Sequence, residues 1–262
     1  MARRSTYAAN SVAPAVATVP AAAPVQGRAA LRIMRAFAIA FLIAMAVRTF
    51  AYQPFYIPTG SMTPNLLAGD YVIVSKFAYG YSRASLPLAG PLRGERVFER
   101  QPEHGDVLVF RAPHQPRQAY VKRVIGLPGD QIAMHGGAVY LNGSALGQVA
   151  LGADALTGLE SLREEMADGQ GYTVLDRGAS ELDHVAAFEV PAGHYFVLGD
   201  NRDESRDSRV PRPFGPGLVP AAHIVGRADY VLLSVRPDFN LIKPWTWTRI
   251  RQARTATRVG AH

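Results

Sequence analysis

The 262-residue chain is 48% hydrophobic and carries a formal net charge of +7, which is enough apolar material for one large domain or two modest ones. It has no cysteine, so disulfides, thiolate catalysis and cysteine-bound zinc are excluded. The positive charge is compatible with an anionic partner, either nucleic acid or a lipid surface. Only Lys76, Lys122 and Lys243 are lysines, and a buried lysine, unlike an arginine, can lose its proton.

The N-terminal part predicts a tail followed by a membrane anchor. Residues 1–29 are rich in Ala, Pro and Val without periodicity, which favours a disordered cytoplasmic tail. Residues 30–52 contain the apolar run 36–47, and the flanking Arg35 and Arg48 can extend to the membrane surface, so we expect a transmembrane helix. Basic residues are concentrated before the run, which places the N-terminus in the cytoplasm and the rest outside. A cleaved signal peptide and a buried core helix are the alternatives.

The next feature is a serine between two prolines. Residues 58–64 place Ser61 after Gly60, which permits backbone angles that a side chain would block. The residue before each proline is biased away from the helical region. We therefore expect Ser61 to lie on a fixed turn, although many serines lie in ordinary surface loops.

The remainder of the chain is predicted to be mostly β. Short β-branched or aromatic runs, bounded by Gly, Pro and Asp, occur at residues 70–77, 105–110, 119–125, 194–198 and 229–233. They predict a twisted antiparallel β-sheet core formed by residues 53–132 and 191–262. Residues 133–190 contain several turn dipeptides and one possible helix at 159–166, so we interpret them as an inserted α+β cap subdomain.

Lys122 lies in the middle of the apolar strand 120–125. On a buried face its ammonium would lose hydration, and the pKa would fall far enough for the amine to accept a proton from a serine. Strand alternation places Lys122 on one face with Tyr120 and Val124. The opposite arrangement, with Lys122 in solvent and Arg123 inside, is equally compatible with the sequence.

Two other polar segments have competing interpretations. Residues 199–209 interleave acidic groups with arginines, which favours an ion-paired loop over a calcium loop, because the spacing of an EF-hand is absent.

The seven histidines show no metal-binding spacing, so we expect no metal and no cofactor. The basic C-terminal stretch, with Trp245 and Trp247, is typical of a membrane-facing end, and nucleic-acid binding is the alternative.

Four stretches taken in order, residues 58–64, 69–74, 120–130 and 199–209, resemble bacterial type I signal peptidase (leader peptidase), a family of serine–lysine peptidases. The resemblance implies an endopeptidase that removes signal peptides from secretory preproteins after a small-x-small (Ala-x-Ala) motif. It implies an acyl-enzyme on Ser61 with Lys122 as general base. It also implies a single-pass protein of the bacterial inner (plasma) membrane with its catalytic domain on the periplasmic side. The expected partners are preproteins and the lipid bilayer, without nucleic acid or metal.

The same resemblance implies further residue roles. Thr59 stands where the family commonly has serine, and its hydroxyl would form the oxyanion hole with the Ser61 backbone N–H. Ser205 matches the hydroxyl that orients the lysine, and Asp207 and Arg209 match a supporting ion pair. The residues at positions that line the family's pockets for small substrate side chains are Phe55, Ile57, Pro58, Met62, Leu66, Tyr120 and Val121.

Two other functions fit parts of the sequence. A membrane-tethered relative could use the same dyad for self-cleavage or for one dedicated substrate. A non-catalytic membrane protein could bind nucleic acid or lipid through its basic C-terminus.

Overall fold

The computed structural model describes residues 26–86, 96–112, 114–236, 238–239 and 242–260. Most of the tail expected over residues 1–29 lies outside these ranges. The chain divides into two compact units, Met1–Ala44 and Met45–His262.

One apolar helix, α1 (Gln26–Ala46), precedes the β structure and continues into a π-helical turn, Val47–Ala51. The segment Ala29–Ala51 has 23 residues and a mean hydropathy of 2.0, so it is long and apolar enough to cross a bilayer. Its large apolar side chains are exposed, as in Phe37 at 73% and Ile43 at 59%. The helix begins four residues before the predicted start at residue 30.

The remaining described chain is built from strands, as the sequence predicts. In chain order they are β1 (Tyr52–Tyr56), β2 (Asp70–Ser75), β3 (Val107–Ala112), β4 (Gln115–Gly126), β5 (Gln131–His135), β6 (Ala138–Leu141), β7 (Ser144–Ala145), β8 (Gly147–Ala153), β9 (Glu160–Glu165), β10 (Gly171–Asp176), β11 (Val185–Glu189), β12 (His194–Leu198), β13 (Val219–Pro220), β14 (Ile224–Ser234) and β15 (Thr257–Arg258). The main sheet has the order β1-β2-β14-β3-β4-β12-β13, with β15 beside β14, and neighbouring strands are antiparallel. The mostly β fold is confirmed.

The inserted segment departs from prediction in one element. The prediction of a helix over residues 159–166 is wrong. This stretch contains strand β9, which is hydrogen-bonded to β8 on one side and to β10 on the other. Gly158 and Gly169 adopt positive φ at its two ends, where the chain reverses into hairpins. Main-chain pairing on both edges thus overrides the helix propensity of the sequence. The insertion otherwise contains the sheet β11-β5-β6-β7 and one 3₁₀ turn, Glu181–Asp183.

The apolar core continues from the main sheet into the insertion. Ile125 on β4 and Phe196 on β12 belong to the same buried cluster as Ile132 and Met134 on β5. Gly126 makes this approach possible, since a Cβ there would lie 2.8 Å from Ile132 Cδ1. Each such fully buried side chain contributes roughly 1.5–3 kcal/mol of hydrophobic stabilisation. The insertion is therefore packed onto the strand that carries Lys122.

Candidate active site

Ser61 lies on a tight turn held against the core. The Thr63 N–H donates to the Gly60 carbonyl at 3.0 Å and closes the turn. Met62 and Leu66 are 1% and 0% exposed, so they anchor the segment in the apolar cluster below it. Ser61 itself is half-buried, which leaves its hydroxyl at the boundary between core and solvent.

The base of this turn is fixed to the sheet through Gly69. The Ile57 N–H donates to the Asp70 carbonyl at 2.8 Å, and the Gly69 N–H donates to the Ile57 carbonyl at 2.9 Å. Gly69 has a φ of +96°, and a Cβ there would lie 2.0 Å from the Val235 carbonyl oxygen. Only glycine satisfies both the backbone angle and the close approach.

The structure brings Lys122 against Ser61. The Lys122 Nζ lies 2.7 Å from the Ser61 Oγ and also donates to the Val121 carbonyl at 2.9 Å. Lys122 is 3% exposed, and this burial lowers its pKa to about 8, with the charge of Arg209 acting in the same direction. When the amine is neutral, the same short contact lets it accept the Ser61 proton.

Lys122 and Arg123 are both buried, so neither of the two alternative strand orientations describes them fully. Arg123 is 0% exposed and makes two hydrogen bonds to the Asp200 carboxylate, at 2.8 and 2.7 Å. It also donates to the Gly105 carbonyl at 2.8 Å and lies 4.2 Å from the Tyr172 ring centre. The C-terminal part of β4, from Lys122 to Gly126, is covered on both faces. A bidentate carboxylate compensates the charge of Arg123.

The loop of residues 199–209 is ion-paired, as its interleaved charges predict. Arg209 holds both oxygens of Asp207, at 2.9 and 2.8 Å. Burial by itself would raise the pKa of Asp207, but the hydrogen bonds and charge of Arg209 bring the pKa below its ordinary value. Ser205 is buried near Asp207 and contributes to this lowering, yet its hydroxyl makes no hydrogen bond of normal geometry within the described chain. No hydrogen bond therefore joins Ser205 to Lys122.

Two residues that sequence reasoning did not place in the site connect this loop to the Ser61 turn. A Cβ on Gly199 would lie 2.1 Å from the Ser205 Oγ and 2.6 Å from the Ser61 carbonyl oxygen. The Asn201 N–H donates to that same carbonyl at 3.2 Å, and its side-chain amide reaches the Gly60 carbonyl at 3.4 Å. The Gly-Asp-Asn sequence at 199–201 is the only signal for these contacts, since their partners are about 140 residues away in sequence.

Thr59 and the backbone of Ser61 are available to a ligand. Thr59 is exposed on the turn. The Ser61 N–H donates no hydrogen bond within the part of the chain that the structure describes. An unpaired backbone donor beside a nucleophile is the arrangement that an oxyanion hole requires.

The residues predicted to contact substrate divide into two sets. Those in or packed against the apolar cluster below Ser61 are Phe55, Ile57, Met62, Leu66 and Val121. Half-buried Ala84 and Ala119 pack on the same cluster and were not anticipated. Pro58 is exposed. Tyr120 packs against a different cluster, with its ring stacked on Phe110 at 5.7 Å.

Comparison with known proteins identifies the family. The family model described as signal peptidase, peptidase S26, matches residues 30–233. Signal peptidase I of Rickettsia typhi is 35% identical over 233 residues, covering 80% of this chain and 86% of the relative. The Rickettsia felis protein of the same name is 36% identical over 232 residues, with the same coverage. A crystal structure of a signal peptidase I from Enterococcus faecalis V583 aligns with 49% of this chain and 97% of its own, at 28% identity and a TM-score of 0.31.

The chain belongs to the signal peptidase family. This confirms the resemblance carried by the four sequence stretches, and it makes the protein a serine peptidase of the hydrolase class.

In this peptidase the inserted segment is joined to the loop of residues 199–209 by a buried ion pair. Arg202 forms a buried ion pair with both oxygens of Glu164 on β9. Glu164 also accepts hydrogen bonds from the Tyr172 hydroxyl and the Gln148 amide, each at 2.8 Å. Burial by itself would raise the pKa of Glu164, but Arg202 brings the pKa below its ordinary value. The strand that replaces the expected helix thus supplies a carboxylate that stabilises the loop of residues 199–209.

Proposed function

We propose that the protein is a membrane-anchored serine endopeptidase that removes N-terminal signal peptides from secreted preproteins after an Ala-x-Ala motif. The observation that carries this proposal is the 2.7 Å contact between the Ser61 Oγ and the Lys122 Nζ in a buried site, in a chain of the signal peptidase family.

The first chemical step is proton transfer from Ser61 to neutral Lys122 as the Ser61 oxygen attacks the peptide carbonyl. A pKa of about 8 leaves about a tenth of the amine neutral at pH 7, which is enough to supply the base. The Asp207 and Asp200 carboxylates raise the Lys122 pKa against burial, so they also stabilise the ammonium that forms. No aspartate is needed to orient the base, because an amine has no tautomer to fix.

The tetrahedral intermediate places its negative oxygen at the Ser61 N–H and the Thr59 hydroxyl. Its collapse breaks the peptide bond. The Lys122 ammonium returns its proton to the leaving amine, and the signal peptide stays esterified to Ser61. Neutral Lys122 then takes a proton from water as the water oxygen attacks the ester. Collapse breaks the ester bond, the Lys122 ammonium returns the proton to the Ser61 oxygen, and the signal peptide is released.

Selection of small substrate side chains follows from the apolar cluster below Ser61. Ile57, Met62 and Leu66 are buried there, and Phe55 and Val121 are half-buried around it. A large side chain next to the cut bond would have to displace packed core atoms, which costs typically 1–3 kcal/mol. An alanine side chain would displace the fewest atoms, so we infer that specificity operates by exclusion.

Anchoring by Ala29–Ala51 would place the N-terminus in the cytoplasm and the catalytic unit on the periplasmic side of the bacterial inner membrane. Trp245 and Trp247 are 73% and 51% exposed in a basic C-terminal segment. Such side chains suit the headgroup region of a bilayer. We therefore assign the lipid bilayer as a partner and do not propose nucleic-acid binding.

The test uses the full chain in detergent and a preprotein with an Ala-x-Ala site. Wild type should release a mature protein whose new N-terminus follows that site. Ser61→Ala and Lys122→Met should each reduce the cleavage rate by at least about 10⁴-fold. The matched controls, Ser144→Ala and Lys243→Met, change exposed residues and should cleave normally.

A second substrate replaces the final alanine of the site by leucine and should resist cleavage. Retained cleavage by either dyad variant would rule out the dyad mechanism. A wild-type enzyme that processes only its own chain would contradict the assignment of preproteins as substrates.

A further inference from the structure

One cavity, which neither Ser61 nor Lys122 lines, has a strongly basic lining, and we call it the basic cavity. It has a volume of about 790 Å³, and its cationic side chains are Arg48, Lys76, Arg83 and Arg111. None of the described residues that line it is acidic. A cavity with several cations and no carboxylate has the chemistry of an anion site.

Lys76 is the most informative of these residues. It is 2% exposed, and within the described part of the chain its Nζ makes a single long hydrogen bond, to the Thr49 carbonyl at 3.3 Å. An ammonium has three donors, and a buried charge is normally paired. Burial, together with the charges of Arg48 and Arg111, lowers the pKa of Lys76 to about 8. An anion in the cavity would satisfy the free donors and restore the charged form.

The arginines around Lys76 also retain unused donors. Arg111 donates to the Pro116 carbonyl at 2.9 Å, which leaves most of its five N–H groups available. Within the described residues, no ion pair includes Arg48, Lys76, Arg83 or Arg111. Planar guanidinium groups match the oxygens of a phosphate in pairs.

The place of the cavity in the chain indicates where its anion comes from. Met45, Arg48 and Thr49 line it, and all three belong to the last turns of the segment that can cross a membrane, Ala29–Ala51. Residues at the end of a membrane span lie at the level of the lipid headgroups. Met45 and Leu86 add apolar surface to the lining, so the cavity offers a place for both a phosphate and the beginning of an acyl chain.

We propose that this cavity binds the phosphodiester headgroup of an anionic phospholipid, held by Lys76, Arg83 and Arg111. The inference rests on the membrane anchoring in the proposed function but not on the Ser61–Lys122 chemistry. Basic side chains within a Debye length of a membrane surface attract anionic headgroups, each by about 1 kcal/mol.

The experiment measures lipid binding to the full chain in detergent by native mass spectrometry. The probes are dioleoyl phosphatidylglycerol, dioleoylglycerol without a phosphate, and inorganic phosphate. Wild type should retain one phosphatidylglycerol in preference to dioleoylglycerol. Arg83→Gln and Lys76→Met should each weaken this binding about fivefold, and the double variant Lys76→Met/Arg111→Gln by about 25-fold.

The matched control is Arg117→Gln, an exposed arginine that does not line the cavity, and it should bind as wild type does. Thermal unfolding of each variant verifies its fold, and exposed Arg83 provides a test that does not depend on replacing a buried residue. Equal losses in Arg83→Gln and Arg117→Gln, or equal binding of the two lipids, would overturn the site. Inorganic phosphate that displaces the lipid at equal concentration would overturn the lipid as its ligand. Ser61→Ala should bind lipid normally, which separates this inference from the peptidase assignment.

Discussion

Two lysines in the same compact unit are buried and have similar pKa values, but only Lys122 contacts a serine hydroxyl. Lys122 and Lys76 are 3% and 2% exposed, and burial lowers the pKa of each to about 8. The Lys122 Nζ lies 2.7 Å from the Ser61 Oγ, whereas the Lys76 Nζ has, among the described residues, only the Thr49 carbonyl as a partner, at 3.3 Å. A lowered pKa is therefore required of a lysine base but does not identify one.

The charges that act on Lys122 come from two carboxylates and one arginine, whereas those that act on Lys76 are both cationic. Near Lys122, the carboxylates of Asp207 and Asp200 raise the pKa against burial. Near Lys76, Arg48 lowers the pKa further. In the proposed mechanism, the first environment stabilises the ammonium that forms when Lys122 takes the Ser61 proton. The second has no carboxylate among the described residues that line the cavity, which fits the proposed anionic ligand. Similar pKa values thus arise from environments built for different purposes.

The largest expected effect comes from replacing each lysine by arginine. Lys122→Arg should reduce preprotein cleavage by at least about 10⁴-fold, because a guanidinium cannot give up its proton to act as a base. Lys76→Arg keeps a cation in the basic cavity, so this variant should still bind phosphatidylglycerol. Cleavage assays and native mass spectrometry on both variants check this difference, with exposed Lys243→Arg as control. Comparable cleavage by Lys122→Arg and Lys243→Arg would contradict the base assignment.

A third buried cation, Arg123, differs from both lysines because a carboxylate, that of Asp200, pairs with its charge. Asp200→Asn removes the charge that compensates it, and the free energy of unfolding should fall by about 3–5 kcal/mol. The control Arg206→Gln changes an exposed residue of the same loop and should stay within about 0.5 kcal/mol of wild type. Urea unfolding of the detergent-solubilised chain measures both. If Asp200→Asn unfolds at the same urea concentration as the control, the pair does not stabilise the fold.

The sequence correctly predicted those elements that are determined by residues close together in the chain. The turn around Ser61 follows from its glycine and prolines, and the strand that carries Lys122 follows from a β-branched run between turn residues. Residues 159–166 contain good helix formers, but hydrogen bonding to β8 and β10 makes them a strand. Such pairing depends on residues distant in sequence, so the local pattern cannot reveal it.

The contacts around the dyad were the least predictable part of the site. Sequence alternation offered a choice between Lys122 and Arg123 as the buried residue, whereas the fold buries both, because Asp200, 77 positions away, compensates Arg123. Gly199 has the same kind of cause. A side chain at position 199 would clash with Ser205 and with the Ser61 carbonyl. Only the folded chain brings these groups together, so the sequence alone does not show that glycine is required.

A smaller effect should separate the oxyanion donor from the base. Thr59→Val keeps the shape of the side chain but removes its hydroxyl, and kcat should fall about 10²–10³-fold, as for loss of one oxyanion-hole donor. Thr59→Ser restores the hydroxyl and should recover most of the rate. Steady-state kinetics with the Ala-x-Ala preprotein measures both variants. Equal rates for the valine and serine variants would mean that the hydroxyl takes no part.

The smallest effect is the pH dependence, which distinguishes the two lysines without abolishing activity. Since the base must be neutral, kcat/KM should be lost as pH falls through about 8, and it should rise about fivefold between pH 7 and pH 8. Asp207 raises the pKa of Lys122, so Asp207→Asn should move the midpoint to lower pH. Lys76→Met should leave the midpoint in place, because Lys76 titrates in the same range but does not contact Ser61. If Lys76→Met moved the midpoint and Asp207→Asn did not, Lys76 and not Lys122 would be the base.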